Sequence, residues 1–234
     1  MRVGSGRIYG VQTGYHPPLE EYLETVHALG EEGTPVIQAR IAERLGRSAP
    51  SVSEMLDRLE DDGYVRRSGR LVELTDTGAV LAEKVVRKHR LAERLLTDVI
   101  GLEWYKVHRE AGRWEHVISD EVEQKLMVLL KDPTTCPHGN PIPGSADPNE
   151  GKCQVALADV ELGSTVRLER ICEEVELNME SLMFLDEHGF TPGAIGTVTD
   201  RTAGGQMCLE VHETVVELTS DLTERLFVRE LSNG

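Results

Sequence analysis

The sequence is short of three things: paired cysteines, long apolar runs and basic charge. Its four cysteines, Cys136, Cys153, Cys172 and Cys208, are scattered, and none forms a Cys-x-x-Cys pair. That argues against a zinc ribbon or a dithiol redox centre and fits reduced thiols in a cytosolic protein. No stretch approaches the roughly 20 apolar residues of a membrane span. The N-terminus lacks a positive-then-apolar leader pattern, so a cytoplasmic location is expected. Lys and Arg number 25 against 41 Asp and Glu, a net charge of −16. Such a balance speaks against nucleic-acid binding through bulk charge, but its distribution is uneven. Residues 155–234 hold 16 acids and 5 bases, a net of −11 out of the −16. The first 154 residues are close to balanced, and DNA contact needs only a local basic surface.

What is present divides the chain into three segments. Residues 1–18 are Gly-rich and read as an arm. Leu19, Tyr22, Leu23, Val26 and Leu29 follow helical spacing. A short helix is expected from about Val36 to Leu45, ended by Gly46. A third runs from Ser48 to about Asp62, with Ser48 as cap, Pro50 in the first turn and Gly63 as stop. Two alternating runs, 64–67 and 71–74, flank Ser68-Gly69-Arg70 as a β-hairpin. A long helix, about Gly78 to Ile100, and two more, Trp104 to His116 and Ser119 to Leu130, follow. Residues 132–153 are rich in Pro, Gly and Asn and read as a linker or surface loop. Beyond Val155, β-like runs at 164–171, 195–199, 207–211 and 225–228, with one helix at 179–187, predict a small β-barrel domain.

Helix, helix, Gly-containing turn, helix, hairpin is the winged helix-turn-helix order. A recognition helix enters the major groove N-terminus first, so its first turn must be small. Ser48, Ala49, Pro50 and Ser51 satisfy this. Ala49 and Pro50 offer apolar surface to thymine methyls, and Ser48 can bond a base edge or a phosphate. Arg40, Arg47, Ser51, Ser53 and Arg58 are candidate phosphate contacts, with Arg66, Arg67 and Arg70 on the wing. Taken alone, the serines could merely cap a core helix. So sparse a set of arginines points to a dimer reading two half-sites. Leu91, Leu95, Val99, Val117, Leu126 and Leu129 can supply either the dimer seam or an internal core.

Metal-ligating residues cluster on the same helices. His89 and Glu93 are one turn apart. His108 shares a helix face with Glu115 and His116, and Glu21 and Glu24 lie three apart on the first helix. Imidazoles and carboxylates on facing helices are how bundles build metal sites. Any one pair fits a solvated helix face equally well. Cys136 and His138 can bind metal but read as surface or loop-packing residues.

Several segments resemble the diphtheria toxin repressor family, which includes iron-dependent regulators and manganese transport regulators. They are Arg-Lys-His-Arg-Leu-Ala-Glu-Arg-Leu-Leu at 87–96, Lys-Val-His at 106–108, Arg-Trp-Glu-His-Val at 113–117, Ser-Asp-Glu-Val-Glu at 119–123, Gly-Asn-Pro-Ile-Pro-Gly at 139–144 and Ala-Arg-Ile-Ala-Glu-Arg-Leu at 39–45. The resemblance covers the chain from about residue 19. It implies a mainly α fold with β in three domains: a winged helix-turn-helix (1–82), a helical dimerisation and metal-binding domain (83–150) and an SH3-like barrel (155–234). It further implies two metal sites per subunit. The ancillary site would use His89, Glu93, His108, Glu173 and Glu176. The primary site would use Glu21, Glu115, His116 and the backbone carbonyl of Gly112, with Glu24 as an added acid. Gly112 departs from the family pattern, which has Cys or Glu there. An oxygen-rich site without thiolate favours Mn²⁺, with Fe²⁺ next. The implied function is a metal-dependent repressor that binds double-stranded operator DNA as a homodimer and controls metal-homeostasis genes. A metalloenzyme built on the same His/Glu cluster, or a winged-helix regulator sensing an organic ligand, are the alternatives.

Overall fold

A computed structural model describes residues 18–146 and 154–231. The arm expected at 1–18 lies outside these residues except for Pro18, which opens the first helix. Three bodies follow one another along the chain, each with its own buried core.

The first body is the DNA-reading unit. Helices α1 (Pro18–Glu31), α2 (Gln38–Leu45) and α3 (Ala49–Asp61) pack under a hairpin of β1 (Val65–Ser68) and β2 (Leu71–Leu74). In α3, Val52, Leu56 and Leu59 recur at helical spacing, and all three are fully buried against Leu23 of α1 and Ile41 of α2. The turn between α2 and α3 depends on Gly46, whose φ of 59° is left-handed. Ser48 then caps α3 by accepting a hydrogen bond from the Ser51 amide at 3.4 Å.

The second body is built on α4 (Asp76–Arg94), which Thr75 caps, with α5 (Val107–Trp114) and α6 (Asp120–Leu129) against it. Where one helix was expected from Gly78 to Ile100, α4 ends at Arg94 and residues Leu95–Ile100 widen into a π-helical turn. A 3₁₀ turn, Trp104–Lys106, precedes α5. Two residues of the expected seam, Leu91 and Leu126, are core residues packed on Ile142, with Leu95 beside them. Val99, Val117 and Leu129 stay exposed.

The described part of the Pro/Gly-rich stretch, 132–146, corrects the expectation of a linker or surface loop. It is drawn onto α4 by three arginines on one helix face. Arg87 donates to the Pro143 carbonyl (2.6 Å), Arg90 to that of Pro141, and Arg94 to that of Thr135 (2.6 Å). Cys136, His138, Asn140 and Ile142 are consequently buried.

The third body pairs its strands in the order β3-β8-β4-β5-β6-β7. The strands are β3 (Val155–Ala156), β4 (Thr165–Ile171), β5 (Ile195–Arg201), β6 (Met207–Val211), β7 (Thr214–Leu218) and β8 (Leu226–Glu230). Helices α7 (Glu173–Glu176), α8 (Met179–Glu187) and α9 (Ser220–Arg225) pack on this sheet. The runs read from sequence match β4, β5, β6 and β8. β3, β7, α7 and α9 went unread; the two-residue β3 and the short helices α7 and α9 carry too little periodicity to show.

Candidate metal centre and DNA-reading surface

Two polar clusters meet at the junction of the three bodies. The first joins α1 to α4 and the end of α5. His89 Nδ1 contacts Glu115, and Glu24 Oε1 lies 3.9 Å from the same nitrogen. His116 Nε2 is 3.0 Å from Glu115 Oε1, and its Nδ1 is 2.6 Å from Glu20 Oε2. The expected partner, Glu21, does not reach His116. It lines the adjoining cavity and sits 3.7 Å from Arg47. Glu20 and Glu24 are one turn apart and share the face that looks at α4 and α5.

The second cluster lies deeper. Glu93 Oε1 is 3.1 Å from His108 Nδ1 and 3.3 Å from His138 Nδ1. Glu176 Oε2 is 2.9 Å from His108 Nδ1 and 3.2 Å from His138 Nδ1. Glu93, Cys136 and His138 form a compact group of potential ligands, as do His89, Glu93 and His108. Cys136 and His138 are buried and lie in this candidate cluster, which corrects their reading as surface residues. The sequence signal was weak, a Cys-x-His in a loop with no periodicity. What places them is the pull of the α4 arginines together with Gly139. A Cβ on Gly139 would meet the Glu169 carbonyl oxygen at 2.0 Å, so only glycine lets the loop lie against β4. Asn140 Nδ2 donates to Ile171 O at 2.8 Å and to Glu176, fixing that carboxylate. Glu173 lines the cavity, and no hydrogen bond or ion pair ties it to the cluster among the described residues.

The electrostatics are those of a site built around positive charge. Burial opposes ionisation throughout, yet Glu93 is held well below the usual carboxylate range by His138 and His89. Against the same burial penalty, Glu115 is held at about 2 by His89 and His116, and Glu176 at about 2 by His138 and His108. Burial works against charge on His89, but Glu93 and Glu115 keep its pKa well above the ordinary histidine value. Glu24 goes the other way, to about 8, through burial and repulsion by Glu115. Burial and Glu93 push the Cys136 thiol up to about 11. Buried Glu93 Oε2 and both ring nitrogens of His138 lack a well-angled hydrogen bond. Orphaned buried polar atoms at this density fit a divalent cation, which takes imidazole, carboxylate and thiolate ligands.

Gly112 faces a cavity of about 410 Å³ beside the first cluster, also lined by Glu21, Glu24 and Glu115. A Cβ there would meet only His89 Cε1, at 4.0 Å. The missing side chain therefore leaves room rather than a strained backbone.

On the reader, Arg40, Arg47, Ser48, Ala49, Pro50, Ser51 and Arg58 are exposed, and Ser53 is half-buried. They lie on α2, α3 and the turn between, as the helix-turn-helix reading requires. The wing arginines are partly spoken for. Arg66 pairs with Glu73 (2.7 Å), and Arg67 with Asp57 (2.7 Å) and Glu60.

A winged helix joined to a helical body with histidine- and carboxylate-rich clusters is the layout of a metal-responsive DNA-binding regulator. Comparison with known proteins agrees, segment by segment. Residues 16–71 match the iron-dependent repressor N-terminal DNA-binding domain. Residues 75–144 match the iron-dependent repressor metal-binding and dimerisation domain, and residues 155–230 the FeoA domain. The iron-dependent repressor IdeR of Mycobacterium tuberculosis is 45% identical over 208 residues, covering 84% of this chain and 90% of the relative. The diphtheria toxin repressor of Corynebacterium diphtheriae is 42% identical over 220 residues, covering 91% and 96%. A solved manganese-dependent transcriptional repressor in complex with manganese superposes with a TM-score of 0.82 at 29% identity, over 91% of this chain and 100% of that one. The chain belongs to the iron-dependent repressor family, with its DNA-binding domain, its metal-binding and dimerisation domain, and a C-terminal SH3-like FeoA domain.

Proposed function

We propose that the chain is a cytoplasmic repressor that grips operator DNA as a homodimer when loaded with Mn²⁺ or Fe²⁺, and so controls metal-homeostasis genes. The observation that carries this is the meeting of the reader with the body at one point. Glu20 and Glu24 come from α1, His89 from α4, and Glu115 and His116 from the end of α5. These residues would hold one ion, with Glu21 and the Gly112 backbone bordering the site. Glu93, His108, Cys136, His138 and Glu176 would hold a second, with Glu173 at its edge. When bound, the cation supplies the positive charge that lets buried carboxylates face one another without protons. Glu20 and Glu24 then tie α1 to the body, which fixes the distance between the recognition helices of two subunits. Arg40, Arg47, Ser48, Ala49, Pro50, Ser51, Ser53 and Arg58 make the DNA contacts. The oxygen and nitrogen donors of the first cluster suit Mn²⁺, and Cys136 makes the second more tolerant of Fe²⁺.

Linkage then requires that metal tighten DNA binding and that DNA tighten metal binding by the same factor. The test is an operator titration in Mn²⁺, in Fe²⁺ under anaerobic conditions, and in chelator. Tighter binding with either metal is the expected result. Equal affinity in all three would overturn the reading.

A further inference from the structure

We propose that Glu174 and Arg44 form a strut through which the C-terminal domain holds the DNA reader, a route from metal centre to recognition helix separate from α1. This inference rests on the metal-dependent reading above.

Helix α7 is four residues long and faces two ways. On one side Glu176 is buried in the second cluster, against His108 and Asn140. On the other, half-exposed Glu174 reaches the reader. Its Oε2 is 3.7 Å from an Arg44 guanidinium nitrogen, and its Oε1 is 3.0 Å from Arg225 of α9. The helix is seated firmly. Val175 is part of the C-terminal core, and the Cys172 amide donates to the Arg225 carbonyl at 3.0 Å. Glu176 and Glu174 therefore move together.

Arg44 is well placed to receive that motion. It lies in the last turn of α2, two residues before the Gly46 turn that leads into Ser48 and the recognition helix. It is mostly buried and makes a two-pronged pair with Glu32, at 2.7 and 3.2 Å. The chain Glu32–Arg44–Glu174–Arg225 thus crosses from reader to C-terminal domain. Cavities of about 510 and 410 Å³ flank this crossing, and Arg44 lines both. With open space on both sides, these ion pairs bridge the two bodies at the crossing. Glu32, Cys172 and Glu174 come close enough to be mistaken for a cation site. One Arg44 nitrogen already lies within reach of both carboxylates and takes the cationic place.

Holding Glu176 in a filled second cluster fixes α7, which fixes Glu174 against Arg44 and steadies α2. Glu174 is a positioning residue, and its loss should weaken the coupling without weakening either ligand alone. The measured quantity is the ratio of operator Kd in chelator to Kd in saturating Mn²⁺, for wild type, Glu174→Gln and Glu174→Lys. The ratio should fall about two- to fivefold in Glu174→Gln, the scale of one partly exposed ion pair, and further in Glu174→Lys, which repels Arg44. Mn²⁺ affinity without DNA, DNA affinity in chelator and the thermal midpoint should stay at wild-type values, which a merely structural role would not predict. Wild-type ratios in both variants would overturn the strut and leave the proposed function standing. A wild-type ratio of one would remove both.

Discussion

Nε2 of His89 stands 3.0 Å from Nδ1 of His108, while the other nitrogen of the same ring contacts Glu115. One imidazole therefore borders both clusters. His89→Ala should lower Mn²⁺ affinity at both sites, by at least the ~10–100-fold that losing a mere outer-shell partner brings. Glu115→Gln should damage the first site alone. Equilibrium dialysis with Mn²⁺ separates the two patterns, and selective loss in His89→Ala would show that the clusters act independently.

His138 tests the second cluster without and with metal. Its ring is fully buried, and its Nδ1 lies 3.3 Å from Glu93 and 3.2 Å from Glu176. Replacing it by an apolar ring leaves two buried carboxylates without the imidazole that holds their pKa values down. His138→Phe should therefore destabilise the metal-free protein in urea, by about 3 kcal/mol or more. It should also lower bound metal from about two ions per chain toward one, because a ligand is gone. A variant as stable as wild type without metal, or one that keeps full stoichiometry, would contradict the assignment.

The family departure at Gly112 can be reversed. The position has open space toward His89, and it lies within α5, where glycine weakens the helix by up to about 1 kcal/mol relative to alanine. Gly112→Glu adds a carboxylate beside Glu115 and His89 and improves the helix. We expect Mn²⁺ to bind about tenfold more tightly, equivalent to about 1.4 kcal/mol. Isothermal calorimetry checks this, and unchanged affinity would mean that the open space lies away from the ion.

The winged helix and the helix-borne residues of both clusters were legible in the sequence for a definite reason. Val52, Leu56 and Leu59 repeat at helical spacing, Gly46 and Gly63 punctuate, and His89 with Glu93 share a face that periodicity exposes. The rest depended on contacts distant in sequence. Which of Glu20 and Glu21 meets His116 turns on how α1 rotates against the body, and adjacent positions differ by about 100° around a helix. Cys136 and His138 sit in a loop whose course is set by Arg87, Arg90 and Arg94, residues 41 to 56 positions away from the carbonyls they hold. Leu91 and Leu126 belonged to an apolar stripe that served core and surface alike until Ile142 was seen to cover them.

Arg90 is almost fully buried and takes both oxygens of Glu31, linking the end of α1 to α4. Burial raises the carboxyl pKa, but the Arg90 guanidinium outweighs it and holds Glu31 below its ordinary 4.5. A lowered pKa gives stability that is complete above 4.5 and is lost as pH falls through the folded-state value. Glu31→Gln leaves a buried guanidinium without its counter-charge. The cost should be roughly 2–3 kcal/mol, below the figure for a fully buried pair because Glu31 is partly exposed. The gap between wild type and variant should be steady from neutral pH to about 4.5 and shrink on further acidification. A gap that widens in acid would reverse the assigned sign.

The exposed apolar residues of the helical body remain to be covered. Val117 and Leu129 are 67% and 56% exposed, and Val99 is similar, although each sits on the domain that matches a dimerisation model. Burying such a side chain is worth about 1.5–3 kcal/mol, so a paired surface gains several such terms per subunit. Val117→Asp combined with Leu129→Asp introduces charges that cannot be buried without partners. In sedimentation, wild type should run as a dimer and the variant as a folded monomer, with a thermal midpoint lowered by the loss of dimerisation. Operator affinity in Mn²⁺ should fall by at least about 100-fold, because the second half-site no longer binds as an intramolecular event. Sedimentation of the variant as a dimer would place the seam elsewhere on the body. Retention of full operator affinity by a monomer would mean that one reader suffices, and the low arginine count of the reader argues against that.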